Sequence, residues 1–72
     1  MNRKNRSVFA QRLIAARKAQ GLRQKDLAAK LDVMAHTVTT WENDRVMPRV
    51  ELLIEMANIL CVSLDWLLGR RD

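Results

Sequence analysis

Apolar side chains recur along this chain at three- and four-residue intervals, broken at short distances by turn-forming residues. Phe9, Leu13 and Ala16, joined by Ala10 and Ile14, make a first stripe. Leu27, Ala28 and Leu31 make a second, and Val38 and Trp41 with Glu42 a third. Leu52, Leu53, Met56, Ala57 and Leu60 make a fourth, and Leu64, Leu67 and Leu68, flanked by Trp66, a short fifth. Such spacing puts each set on one side of a helix. No stretch carries the alternation of a half-buried strand.

The punctuation agrees with the stripes. Ser7 and Ser63 are good N-caps. Gly21, followed by apolar Leu22, and Gly69 supply left-handed helix ends. Pro48 stops the loop over 44–49. The pattern predicts helices beginning at Ser7 and ending at Gly21, then over 24–31, 35–43, 50–60 and 64–68. Arg23 is a poor N-cap for the second, although Asp26 in its first turn suits the helix dipole. Five short helices with short connections make an all-α bundle. Residues 7–69 form that domain, behind a disordered basic arm over 1–6 and ahead of a polar tail over 70–72.

At 72 residues the chain is one domain, and a core of this size supplies about 3–5 kcal/mol net, so a partner or dimerisation bears on its stability. An apolar fraction of 49% is too high for a disordered chain. No apolar run approaches the roughly 20 residues of a membrane span, and the polar, basic N-terminus lacks a signal-peptide pattern. A single cysteine, Cys61, excludes an internal disulfide and a zinc-finger ligand set, suits a reducing cytoplasm, and is expected as a small buried hydrophobe. His36 and Cys61 could pair as base and nucleophile, but they fall in different predicted elements with no strained turn to present the thiol, and two glycines leave no phosphate-cradling loop. An enzyme, a cofactor and a small-molecule ligand are therefore not expected.

Charge is distributed unevenly. The net charge is +5, yet Arg3, Lys4, Arg6, Arg12, Arg17, Lys18, Arg23 and Lys25 all fall in the first 25 residues, with no acid among them. The remainder carries a net of −3. A basic end on a mildly acidic remainder suits a polyanion approached from one side, although a solvated tail and an ordinary helix surface give a similar pattern.

The second helix, the gap at 32–34 and the third helix form a helix-turn-helix candidate, in which the first helix of the pair crosses the DNA backbone and the second enters the major groove. Small Ala28 at the crossing, apolar Leu27, Val33 and Val38 within, and short polar groups outside (His36, Thr39, Thr40, Asn43) meet its requirements. The stretch QKDLAAKLDVMAHTVTTWEN, residues 24–43, resembles the helix-turn-helix of the Cro/C1-type (XRE) family of phage repressors and bacterial regulators. FAQRLIAARKAQGL resembles that family's first helix, Pro48 and the stripe to Leu60 its fourth, and CVSLDWLLG its closing helix. The likeness covers about residues 8–69.

The resemblance implies a compact five-helix, lambda-repressor-like DNA-binding domain, and roles follow position by position. Ala35, His36, Thr39 and Thr40 match positions that face base edges. Gln24 and Asn43 match phosphate contacts, Arg45 lies in a loop that follows the backbone, and Arg23 stands beside Gln24 as a further backbone contact. Arg17 and Glu42 match a buried ion pair. Glu42 is also the one acid inside the third helix, where a carboxylate facing a polyanion would repel it unless neutralised. Departures from the family pattern are Asp32, Asp44 and Cys61 where glycine is usual, and Met34 where Ser or Thr usually caps the third helix. Met34 costs that helix start about 0.5–2 kcal/mol. Asp44 adds a negative charge on the DNA side.

The implied function is a sequence-specific transcription regulator, a repressor in the family's sense, that binds a roughly palindromic double-stranded DNA operator as a homodimer, in a bacterial or phage-infected cytoplasm at the nucleoid. Leu64, Trp66 and Leu68 are the expected dimer contact, because so small a core cannot cover all of the fifth helix. Two other classes fit the same residues. One is an antitoxin-like protein-interaction module, and the other is a non-specific nucleic-acid binder held by the basic arm.

Overall fold

The computed structural model describes residues 6–72, so the arm expected over 1–6 lies outside the described residues except for Arg6. Five helices follow in order: α1 (Val8–Ala19), α2 (Gln24–Leu31), α3 (Ala35–Glu42), α4 (Val50–Leu60) and α5 (Leu64–Leu67). The third and fifth each end one residue before their predicted limits, with Asn43 and Leu68 as C-caps.

All five helices stop the same way. After each C-terminus one residue turns left-handed, and the amide beyond it reaches back to a carbonyl five residues earlier. The closing bonds are Leu22 N–H to Arg17 O, Val33 to Ala28, Arg45 to Thr40, Val62 to Ala57 and Arg70 to Asp65, between 2.8 and 3.1 Å. Gly21 and Gly69 take two of the left-handed positions; Asp32, Asp44 and Cys61 take the other three, at φ 58°, 59° and 60°. The last three are the positions that depart from glycine, so a side chain is carried there against the usual steric preference. At Gly69 there is a second demand, since an added Cβ would stand 3.0 Å from a Val8 methyl. Cys61 is exposed at its turn, which corrects the expectation of a buried thiol.

The starts are less uniform. Ser7 and Ser63 accept from the amides of Ala10 and Trp66, as their N-cap character predicts. Arg23, Met34 and Arg49 cap nothing with their side chains. At α2 the deficit is met from inside the helix. The Asp26 carboxylate accepts from the Arg23 N–H at 2.8 Å and from its guanidinium at 2.9 Å. These bonds lower the Asp26 pKa from an ordinary 3.8 to about 2.

The stripes meet in one core. Phe9, Ala10, Leu13 and Ala16 of α1, Leu27, Ala28 and Leu31 of α2, and Val38 and Trp41 of α3 are buried against Leu52, Leu53, Met56, Ala57, Leu60 and Leu67. Ile14 is only half-buried. α2 packs mainly on α3, α1 touches α3 and α5, and α4 joins α2 and α5. On α5 only Leu67 is fully covered; Leu64, Trp66 and Leu68 are half-buried against the core. The Arg12 guanidinium lies 4.9 Å from the Trp66 ring centre and donates to the carbonyls of Trp66 and Arg71, which latches the chain's end to α1. The large apolar side chains left most open to water lie elsewhere: Met34, Val46, Met47, Val50, Ile54 and Val8. No described helix is long and apolar enough to cross a membrane.

Candidate nucleic-acid interface

The turn between α2 and α3 is short because Asp32 reverses the chain at once, so the two helices pack at close quarters over Ala28, which is buried. This packing sends Val38, Trp41 and Glu42 inward and leaves the opposite side of α3 open. On that side His36, Thr39, Thr40 and Asn43, with Arg45 from the following loop, line a shallow cleft of about 280 Å³. Four of the residues predicted to face DNA from α3 and its end, and one from the loop, are thus brought together. Ala35 and His36 are exposed in the first turn of α3.

Beneath the cleft lies a continuous chain of hydrogen bonds. Arg17, in the last turn of α1, and Glu42, at the end of α3, are the buried charged residues of the core. The guanidinium meets the carboxylate as a fork, Nε to Oε2 at 2.6 Å and Nη2 to Oε1 at 3.2 Å. A third donor, Nη1, reaches the Leu22 carbonyl at 2.8 Å. Gln24 then donates through Nε2 to Glu42 Oε1 at 2.8 Å, and the Thr39 hydroxyl donates to Gln24 Oε1, also at 2.8 Å. Every fully buried side-chain nitrogen and oxygen among the described residues has a hydrogen-bond partner. That is the condition under which a buried charge pair is tolerable.

A second set of contacts was not legible in the sequence. Arg6 donates to Asn43 Oδ1 at 2.7 Å, and Ser7 donates through both its backbone N–H and its hydroxyl to the Asp44 carboxylate. The root of the N-terminal arm is therefore clipped to the end of α3. Asp44, expected as a bare negative charge on the DNA side, has its two oxygens occupied by Ser7. The contacts join residues 37 apart, and no local pattern signals them. Arg23 also departs from expectation in detail, since its guanidinium is held in a fork by Asp26 while remaining exposed.

A two-helix unit with a tight turn, an open polar face on its second helix and a basic flank defines a helix-turn-helix DNA-binding domain. The chain belongs to the Cro/C1-type helix-turn-helix family, whose model, described as Helix-turn-helix, matches residues 13–67. It is 35% identical over 64 residues to the HTH-type transcriptional regulator ImmR of Bacillus subtilis (strain 168), across 89% of this chain and 50% of that protein. It is 33% identical over 76 residues to the 26 kDa repressor protein of Escherichia phage HK022, across 100% of this chain and 32% of that one. The chain therefore spans half or less of the length of these curated relatives. Among solved structures, the P22 c2 repressor in complex with a synthetic operator superposes with a TM-score of 0.83 at 27% identity, covering 92% of this chain and 100% of that one. The solution structure of the P22 c2 DNA-binding domain gives 0.79 at 29% identity, covering 94% of this chain and 86% of that one.

Proposed function

We propose that this chain is a sequence-specific DNA-binding transcription regulator, a repressor, which binds a roughly palindromic operator as a dimer with α3 in the major groove. The observation that carries this reading is the cleft on α3. It gathers His36, Thr39, Thr40, Asn43 and Arg45 on one open side of a helix whose other side is buried. A repressor bound to its operator among the similar structures, and a regulator and a phage repressor among the similar sequences, support it.

In this reading Ala35, His36, Thr39 and Thr40 face base edges. Gln24, Arg23, Asn43 and Arg45 hold the backbone. Backbone contacts set the register and base contacts carry the sequence. The face offers no Arg or Lys fork for guanine, so direct readout is modest, and DNA shape and thymine methyl contacts carry a larger share. The protein acts on DNA in the bacterial or phage-infected cytoplasm.

Selection of bound duplexes from a random pool tests the reading. The expected result is an enriched, two-fold-related site that outcompetes random duplex. His36→Ala should then alter preference at one position of each half-site by about 1–3 kcal/mol. Gln24→Ala should weaken all duplexes about equally, apart from the base pair that faces Thr39, whose hydroxyl Gln24 holds. Equal affinity for every duplex would leave a non-specific binder, and a Gln24→Ala shift in preference without one for His36→Ala would reverse the docking orientation.

A further inference from the structure

The hydrogen-bond chain beneath the cleft has a direction that the chemistry of its members fixes. Arg17 can only donate, and an ionised Glu42 can only accept. Glu42 Oε1 therefore requires the NH2 end of Gln24, which stands 2.8 Å away. The opposite orientation of that amide would set its carbonyl oxygen against a carboxylate. With the NH2 end committed inward, Gln24 Oε1 faces Thr39, and the Thr39 hydroxyl must donate to it at 2.8 Å. The one other bond of that hydroxyl, to Ala35 O at 3.3 Å, is also a donation. Thr39 has one proton, and both its partners take it.

We propose that the buried Arg17–Glu42 pair, acting through Gln24, fixes the hydrogen-bond polarity of the recognition face, so that Thr39 reads a base edge only as an acceptor. The inference rests on the DNA-reading role of α3 proposed above. The complementary base edge is an exocyclic amine, adenine N6 or cytosine N4. The acceptor atoms of guanine (O6, N7) and thymine O4 are disfavoured opposite Thr39. For Thr39 to donate to such an acceptor, Gln24 Oε1 would have to lose its donor.

Thr40 has the same polarity by a shorter route, since its hydroxyl donates to Thr37 O at 2.6 Å within the helix. The two threonines thus present lone pairs and methyl groups. The donors of the cleft are at its ends, on His36, Asn43 and Arg45. Asn43 is oriented as well: its Oδ1 is taken by Arg6, which turns its NH2 away from the clip as a donor. One N–H of Gln24 remains after the bond to Glu42, so a phosphate contact from Gln24 and the relay are compatible. Gln24 and Glu42 are positioning residues for Thr39.

The test uses the full chain on its selected site. At the base facing α3 residue 39, an adenine is replaced by purine, or a cytosine by 2-pyrimidinone, which removes the amine and nothing else. The wild type is expected to lose about tenfold in affinity. Thr39→Val, close in shape but without the oxygen, should show no loss on the same replacement. Glu42→Gln permits the reversed orientation of Gln24 and so of Thr39. It should narrow the preference for an amine over a guanine carbonyl at that base pair, with the discrimination elsewhere in the site unchanged. Gln24→Met removes the relay without disturbing the ion pair and should narrow the same preference, on top of a uniform loss. Circular dichroism establishes that each variant is folded.

An equal loss in the wild type and Thr39→Val, or a guanine edge facing residue 39 in the selected site, would overturn the proposal while leaving the DNA-binding reading intact. Preference unmoved in both relay variants would also overturn it. Absence of any enriched site would overturn the DNA-reading role and this inference with it.

Discussion

At the scale of single residues, the molecule carries costs at its turns and a concentrated dependence on one ion pair. Cys61 sits left-handed at φ 60° with its side chain exposed, so the thiol contributes little packing in return for the strained backbone. Cys61→Gly is expected to raise stability by about 1 kcal/mol, which in a domain of this size moves the melting midpoint up by about 4–8 °C in a thermal scan. Asp44 holds an equivalent backbone at φ 59°, but its carboxylate binds Ser7, so the same replacement there trades strain for a lost tether. The Arg17–Glu42 fork is the opposite case. Each side chain is nearly enclosed, at 9% and 4% exposure. Arg17→Met or Glu42→Leu alone strands a buried charge, and each is expected to cost about 3–5 kcal/mol. The double variant should cost much less than the sum of the two. Denaturant titrations of the four proteins in a double-mutant cycle measure the difference, and additive losses would show that the pair does not act as a unit.

At the scale of helices, the starts and ends were legible to different degrees for physical reasons. The stripes located all five helices because a core this small needs every apolar face, and periodicity reports burial directly. The ends at Gly21 and Gly69 were legible from glycine itself. The ends before Asp32, Asp44 and Cys61 followed from where the stripes stop, but their left-handed turns were legible only through resemblance, because nothing in those side chains demands that backbone. The candidate site divides in the same way. The open face of α3 follows from its helical spacing, whereas the Arg6 and Ser7 clip and the Gln24 relay depend on how helices far apart in sequence are placed. The start of α2 falls where the pattern places it, and Arg23 caps nothing with its side chain; what the pattern did not show is that Asp26, three residues on, supplies the acceptor. That carboxylate titrates near 2, below its ordinary 3.8, so its stabilisation is complete above about pH 4 and is lost as pH falls towards 2. Asp26→Asn should therefore be less stable than the wild type at neutral pH, with the gap in urea midpoint closing between pH 4 and 2. At α3 the deficit is unrepaired, since Met34 is 74% exposed and caps nothing. Met34→Thr is expected to gain about 1 kcal/mol in the same measurement.

At the scale of the whole molecule, charge and apolar surface both bear on how copies meet DNA. The basic residues of the first 25 positions lead us to expect affinity to fall at least about tenfold between 50 and 200 mM salt as phosphates are neutralised. A single recognition helix reaches only a few base pairs, so useful specificity calls for two half-sites, about 34 Å apart, and a self-complementary contact between subunits. The side chains expected to make that contact, Leu64, Trp66 and Leu68, are half-buried, and the Trp66 ring is covered by Arg12. We expect a second apolar surface to be open to another copy as well, beginning one residue after Arg45. There Val46, Met47, Val50 and Ile54 are 57%, 53%, 62% and 47% exposed. Val50 and Ile54 are four apart on α4 and so share one face, continuous with the loop that carries the other two. Titration of the selected site is expected to give two chains per duplex, bound cooperatively. Ile54→Glu, in place of an apolar contact on each side of a two-fold axis, sets like charges against each other. It should abolish cooperativity while leaving a single half-site bound, since Ile54 lies on α4 and outside the residues that line the cleft. Leu68→Ala, on α5, should leave cooperativity intact; loss of cooperativity there and not at Ile54 would return the dimer contact to the closing helix, and one chain per duplex would remove the dimer altogether.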